Sequence, residues 1–478
     1  MIAVVAGVVV TVAAPAPRSV EARAEVVAPQ YLLHPAHPPL IHVPPPPAVG
    51  EMPAVSAIVD DAVTARRLPG AVVQVGHGGE VVFRRAYGAR KLAGEPGLDG
   101  LPTAAEPMTT DTVFDVASLT KALATSTAVM QLDEKGLVGL DDPIQIHLPE
   151  FNPAGDPLRA RVTLRMLLTH TSGEPGDVNL DDAWGLARPD PAEGIRRAVT
   201  APLESPPGAG FHYSDINYLL LGALIERTTG ETLDGYVQRH VFGPLGMTQS
   251  RYLPSGGPQW RNPRLLARIA PTRHDTENAR DPAGNPHFGE LLRGTVDDPT
   301  SRRMGGVAGH AGVFSTAHDV GLFAQALLDR FAGRASTFPL SQATVRLMTA
   351  PAQPGASPSQ LADAQRADHD NVWGAVPSPA RRAVPHYPAV RGQNLRGLGW
   401  DIDTGYSVPR GTVFPVGSFG HTGFTGTSLW IDPASDTYVV VLANVVHAPW
   451  GPPISRLAGE VATAAGQALG LDHGPVTG

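Results

Sequence analysis

The chain has 478 residues, of which 42% are hydrophobic and 17% charged, with a formal net charge of −8. That balance supports a large core, in one two-lobed domain or in two or three smaller ones; with no basic run it argues against a nucleic-acid partner. Cysteine is absent, which excludes disulfides, zinc–thiolate sites and cysteine nucleophiles together.

Residues 2–14 form an apolar run too short to span a bilayer. Ala14-Pro15-Ala16 and Ala22-Arg23-Ala24 follow, each with the small-residue pattern of a cleavage site. The reading is a signal peptide over 1–27 that lacks the usual basic start, and hence a secreted or periplasmic protein with no integral membrane segment once the leader is removed. The stretch 28–54, with Pro38-Pro39 and Pro44-Pro45-Pro46-Pro47, reads as an extended linker. Its His34, His37 and His42 read as solvated residues and not as metal ligands. One folded domain is expected over 55–470.

Within it, 54–67 has the apolar spacing of an amphipathic helix, stopped by Pro69-Gly70. Residues 71–75 and 81–87 are β-rich runs joined by Gly76-His77-Gly78-Gly79-Glu80, a hairpin signal. After a loop through Pro107 comes Ser118-Leu119-Thr120-Lys121, entering an apolar run over 122–132 that reads as a buried helix. Ser118 then falls in the first helical turn with Lys121 one turn on, on the same face. Free N–H groups at a helix start can hold an oxyanion, and a buried amine with lowered pKa can take the serine proton. Among the 37 lysines and arginines only Lys91, Lys121 and Lys135 are lysines. Arginine cannot serve as a base, so a lysine placed in an apolar helix suggests chemistry; a lysine snorkelling to water is the plain alternative.

A mostly helical lobe is expected over about 120–330. Its 164–168 helix closes on Thr169-His170-Thr171-Ser172-Gly173, where His170 reads as a structural hydrogen bond. Phe211-His212-Tyr213-Ser214-Asp215 precedes an apolar helix over 216–229, with Ser214 or Asp215 as N-cap. Tyr213 thus lies on a loop from which a phenol could shuttle a proton or simply pack its ring. The glycine-dense 305–312 loop carries His310, read either as a substrate contact or as structural. The proline-rich 351–396 reads as a surface insertion whose Trp373, His386 and Tyr387 either line a cleft or anchor the loop. Strands are expected at 399–403, 428–431 and 437–442, and a closing helix at 454–469. In Phe419-Gly420-His421-Thr422-Gly423-Phe424, glycines permit close backbone approach to a ligand, His421 could donate to a carboxylate, and N–H groups near Phe424 could face an oxyanion. This order, with strands at both chain ends and helices between, predicts an α+β fold with one antiparallel sheet built from both ends.

Taken in order, Ser118-x-x-Lys121, Tyr213-Ser214-Asp215 and His421-Thr422-Gly423 resemble the three motifs of the β-lactamase/penicillin-binding-protein superfamily. The similarity is greatest to the branch of class C β-lactamases, D-alanyl-D-alanine carboxypeptidases and serine esterases. The resemblance implies an acyl-enzyme at Ser118, Lys121 and Tyr213 as the proton-transfer pair, an oxyanion site at the Ser118 and Phe424 N–H groups, and no metal or cofactor. It places His421, Thr422, Gly423, Asp215 and His310 around the substrate. Asp215 stands where the β-lactamases have asparagine and His421 where they have lysine. Esters, D-amino-acid peptides or muropeptides are therefore the expected substrates, small or peptidoglycan-derived, with weak β-lactam hydrolysis. The alternative is a non-catalytic penicillin- or peptidoglycan-binding module with a vestigial site.

Overall fold

The strand-forming segments at the two ends of the chain pair with one another. The computed structural model describes residues 50–257, 261–373, 386–448 and 454–471. The expected leader and nearly all of the proline-rich linker lie outside the described residues. In chain order the strands are β1 (Gly70–His77), β2 (Glu80–Lys91), β3 (Glu106–Pro107), β4 (Phe114–Asp115), β5 (Arg251–Tyr252), β6 (Val313–Ser315), β7 (Leu395–Arg396), β8 (Asp401–Asp403), β9 (Phe419–Gly423), β10 (Thr427–Asp432) and β11 (Thr437–Ala443). Eight of them form an antiparallel sheet in the order β3-β2-β1-β11-β10-β9-β8-β7.

The β1–β11 seam joins the chain ends, with Val73 opposite Val441. Successive side chains of a strand point to opposite faces. Val72, Val440 and Leu442 therefore pack toward the helix Ala317–Ala332, while Val73, Val439 and Val441 pack toward the helices Pro53–Thr64 and Ser455–Ala468. Covered on both faces, β1 and β11 are buried at every residue, which is why they read as apolar runs. The architecture is the expected α+β arrangement: a large antiparallel sheet flanked by helices, and a mainly helical lobe whose Asp215–Thr229 helix runs through its core.

Three local expectations differ. The run after Ser118 starts as a π-helical turn, Lys121–Ser126, before the α-helix Thr127–Glu134. Thr127 Oγ1 donates to the Ala122 carbonyl at 3.0 Å and Thr125 Oγ1 to the Gly309 carbonyl at 2.7 Å, so hydroxyls compete for the helical ladder there. Ser214 occupies the N-cap position of Asp215–Thr229 but makes no side-chain cap bond, because its hydroxyl donates to the Pro175 carbonyl at 2.5 Å. The strand expected from Gly399 begins only at Asp401, since Gly399 sits at φ 94° in a turn.

The 351–396 stretch carries a helix, Pro358–Trp373, that docks on the 408–416 segment through Asp368–Arg410 (3.0 Å) and Gln365 to the Val416 carbonyl (3.1 Å). Tyr387 anchors this region: its hydroxyl donates to the Gly411 carbonyl at 2.7 Å and its ring lies under Arg410. His386 hydrogen-bonds locally to the Pro388 carbonyl.

Candidate active site

A second, three-stranded sheet, β4-β6-β5, positions Ser118. β4 delivers the chain to Ser118, and its partner β6 follows directly on the glycine-dense 305–312 loop. The pairing continues beyond β4: the Val116 N–H donates to the Val313 carbonyl at 3.0 Å and the Val313 N–H to Thr120 Oγ1 at 3.1 Å. The loop bearing His310 is thereby pressed against the helix bearing Lys121. Just before Ser118, Ala117 adopts φ 46°, a strained value for a residue with a Cβ. Asp115 holds that turn, its buried carboxylate accepting the Ala117 N–H at 2.9 Å and the Asp297 N–H at 2.7 Å. Burial raises the Asp115 pKa to about 7, the two N–H bonds opposing it and the Asp297 charge adding to it.

Lys121 is fully buried, and its Nζ donates to Ser118 Oγ at 2.8 Å and to the His310 carbonyl at 3.0 Å. A third contact is the ion pair with Asp215 Oδ1 at 2.7 Å. This environment overturns the expectation of an amine made basic by desolvation. Burial disfavours the ammonium, but the Asp215 carboxylate and the Tyr213 oxygen more than reverse that, and the pKa lies above its ordinary value. The Asp215 ion pair thus holds Lys121 as an ammonium beside Ser118. The physical reason is the residue in the second motif: a carboxylate replaces an amide.

The sign of this linkage can be tested. Because the pKa of Lys121 is raised in the folded state, the stability it contributes is fully present below its ordinary value of 10.5 and is lost only above it. Asp215→Asn leaves a buried ammonium unpaired. It is expected to cost about 2 kcal/mol at pH 7. The loss should be larger at pH 6 than at pH 9, because the unpaired lysine is easier to bury neutral. Urea denaturation at the two pH values measures it; a pH-independent gap would mean that Asp215 does not hold the charge.

Tyr213 approaches from the helical lobe. Its ring stacks on His170 at 4.4 Å between centroids and lies 5.1 Å from Lys121 Nζ. His170, at φ 56° and fully buried, has its Nδ1 accept the Ser214 N–H at 3.1 Å, tying its turn to the Tyr213 loop as a structural hydrogen bond. Burial first, then the charges of Arg396 and Lys121, hold its pKa far below the usual range.

From the sheet side, β9 brings His421, Thr422 and Gly423 to the cleft, and Phe424 follows in the turn. Among the described residues neither the Ser118 nor the Phe424 N–H has a protein acceptor. His421 departs from its expected role. Its Nδ1–H donates to the Thr422 carbonyl at 2.8 Å, and burial, then Arg396 and Lys121, keep the ring neutral. Its Nε2 therefore presents a lone pair, without a partner, and has no proton to give a carboxylate.

Gly423 is required by contact: a Cβ there would stand 2.4 Å from the Val116 carbonyl and 2.2 Å from Thr427 Oγ1. Gly423→Ala is expected to push β9 from the Ser118 turn, costing about 1–3 kcal/mol in Tm-derived stability and most of the activity. Wild-type turnover in that variant would contradict this.

His310 is buried, and its Nε2 pairs with Asp298 at 2.7 Å. Burial opposes its protonation, but Asp298 outweighs this and raises its pKa. It therefore takes the structural alternative, offering Lys121 its carbonyl. Ligand atoms of Asp215, Asp298 and His310 converge within 4.8 Å. The Lys121 ammonium already neutralises Asp215, and His310 already pairs with Asp298, so the cluster is balanced by the chain's own cations.

Ser118, Tyr213, Asp215, His421, Thr422, Gly423 and Phe424 line one cleft of about 970 Å³. Sequence reasoning missed Asp115, Asp298, Tyr406 and Arg396. The last closes the proline-rich stretch and carried no motif.

This combination of fold and cleft defines a class. The Beta-lactamase family description matches residues 55–462, and the chain belongs to that family. A provisionally named D-alanyl-D-alanine carboxypeptidase of Escherichia coli (strain K12) is 30% identical over 393 residues, 78% of each protein. A simvastatin synthase variant from Aspergillus terreus is 26% identical with a TM-score of 0.57, covering 87% of this chain and 94% of that one. The octameric penicillin-binding protein homologue of Pyrococcus abyssi, 21% identical, shares the fold with a TM-score of 0.58 over 88% of this chain and 78% of its own.

Proposed function

We propose that the protein is a serine hydrolase of the cell envelope that forms an acyl-enzyme at Ser118. The observation that carries this reading is the 2.8 Å contact of Ser118 Oγ with the buried Lys121, in a cleft that Tyr213 also lines. Ser118 Oγ bonds to the substrate acyl carbon as the bond from that carbon to the leaving group breaks; Tyr213 gives its hydroxyl proton to the leaving group and takes the Ser118 proton in its place. The Lys121 ammonium stabilises the negative charge that develops on the phenol oxygen during this exchange. The carbonyl oxygen, negative in the tetrahedral intermediate, is held by the N–H groups of Ser118 and Phe424. Water then releases the acyl group by the reverse proton path.

Esters and D-amino-acid peptides or muropeptides are the substrates, with β-lactam hydrolysis weak because β9 presents a neutral His421. The D-alanyl-D-alanine carboxypeptidase name carried by its relatives supports this class and a periplasmic or secreted location. Among the described residues no helix is long and apolar enough to cross a membrane.

A fluorophosphonate probe should label wild-type protein on the peptide containing Ser118. A panel of p-nitrophenyl esters, D-alanyl-D-alanine peptides and a chromogenic cephalosporin should be turned over, with the cephalosporin slowest. Absence of label at Ser118 would remove the reading.

A further inference from the structure

The two N–H groups assigned to the oxyanion come from different parts of the fold. Ser118 follows β4, and Phe424 sits in the turn between β9 and β10, which the Gly426 N–H closes on the Gly423 carbonyl at 3.0 Å. A donor kept free for a ligand cannot be fixed by its own hydrogen bond, so its neighbours and its side chain must place it. Part of that task falls to two hydroxyls on the far side of the turn. Thr425 Oγ1 donates to the Asp115 carbonyl at 2.7 Å and Thr427 Oγ1 to the Val116 carbonyl at 3.0 Å. Phe424 itself has no such tie, and it is 68% exposed.

Its ring meets Arg273, whose guanidinium carbon lies 5.4 Å from the ring centroid. The negative face of the ring attracts that cation. Arg273 is itself fixed: its Nη2–H donates to Asp297 Oδ2 at 2.8 Å, and its carbonyl accepts the Leu292 N–H at 2.9 Å. An arginine side chain 37% exposed would otherwise sample many rotamers, and the ion pair with a buried carboxylate restricts it. Asp297 also reaches the other donor. Its N–H donates to Asp115 Oδ2 at 2.7 Å, and Asp115 Oδ1 accepts the Ala117 N–H beside Ser118 at 2.9 Å. A single residue therefore braces both donors, through its backbone toward Ser118 and through its carboxylate and Arg273 toward Phe424.

We propose that Arg273 is a positioning residue for the oxyanion site: anchored by Asp297, it holds the Phe424 ring, and with it the Phe424 N–H, toward the oxygen that the Ser118 N–H also receives. This rests on the acyl-enzyme reading and adds to it a residue that acts through Phe424 without touching the substrate.

The test uses the full-length protein and p-nitrophenyl acetate, whose acyl group offers Arg273 no anion. Acylation and deacylation each pass through an oxyanion, so a loss shared by both steps lowers kcat and leaves KM in place. Arg273→Met keeps the stem and removes the guanidinium. It should lower kcat about 10-fold with KM within about twofold, part of the roughly 10²- to 10³-fold lost when an oxyanion donor is removed outright. Arg273→Lys retains a cation for Asp297 and for the ring, and should restore most of the rate. Phe424→Leu keeps the backbone N–H and should show the same loss as Arg273→Met, while the double variant loses no more than either single one. Should Arg273→Met fail to fold, Phe424→Leu decides alone, its kcat falling about 10-fold at unchanged KM and Tm. Wild-type kcat in either single variant, a loss confined to KM, or losses that multiply in the double variant would overturn the proposal and leave Ser118 labelling standing. Absence of labelling at Ser118 in the wild type would instead overturn the acyl-enzyme reading.

Discussion

Ser118→Ala is expected to abolish fluorophosphonate labelling and to lower turnover of every acyl substrate by on the order of 10⁴-fold or more. No neighbouring group can replace the hydroxyl. Lys121 donates to Ser118 and to the His310 carbonyl and is ion-paired with Asp215, and as an ammonium it offers no lone pair to a carbonyl carbon. The fold should survive. Lys121 keeps two of its three partners, the strained Ala117 turn is still held by Asp115, and the half-buried Ser118 side chain leaves little empty space. A stability change within about 0.5 kcal/mol by thermal denaturation is therefore expected. Substantial residual turnover in a folded variant would place the nucleophile elsewhere.

The second large effect belongs to Tyr213. Because Asp215 holds Lys121 as an ammonium, the proton leaving Ser118 needs another acceptor, and the phenol oxygen beside that ammonium is the candidate. Tyr213→Phe is expected to slow acylation by about 10²- to 10⁴-fold. The phenyl ring keeps its stack on His170 and its contact with Tyr406, so the loop and the cleft should hold their shape. Stopped-flow measurement of the acylation burst with a p-nitrophenyl ester reads this directly. A burst at the wild-type rate would mean that the serine proton travels through Lys121 to Asp215.

These two residues also show how far the chain could be read unaided. Ser118, Lys121 and Tyr213 were legible because each sits at a local signal: a hydroxyl entering an apolar helix, one of only three lysines, a phenol before a buried helix. Lys91 is buried as completely as Lys121, yet its Nζ is spent on the carbonyls of Leu92, Glu95 and Ala104, a purely structural cage. Scarcity marks a buried lysine without saying what it does.

Arg396 left no such trace. It lies in no motif, and its burial beside Asp401 comes from the pairing of β7 with β8, which no local pattern records. The same holds for His421: glycines around it marked a close approach, but the tautomer depends on the Thr422 carbonyl and on charges from other strands and helices.

The family came from the resemblance of three motifs; the periodicities determined the strands β1, β10 and β11, the helices at both ends and the α+β class. Those features follow from local burial patterns that any chain with this alternation must satisfy. Tertiary structure alone decided the protonation of Lys121 and the lone pair on His421. Both are electrostatic properties, set by which charges and carbonyls lie nearby in space, and Asp215, His310 and Arg396, which set them, lie 94, 189 and 25 residues away.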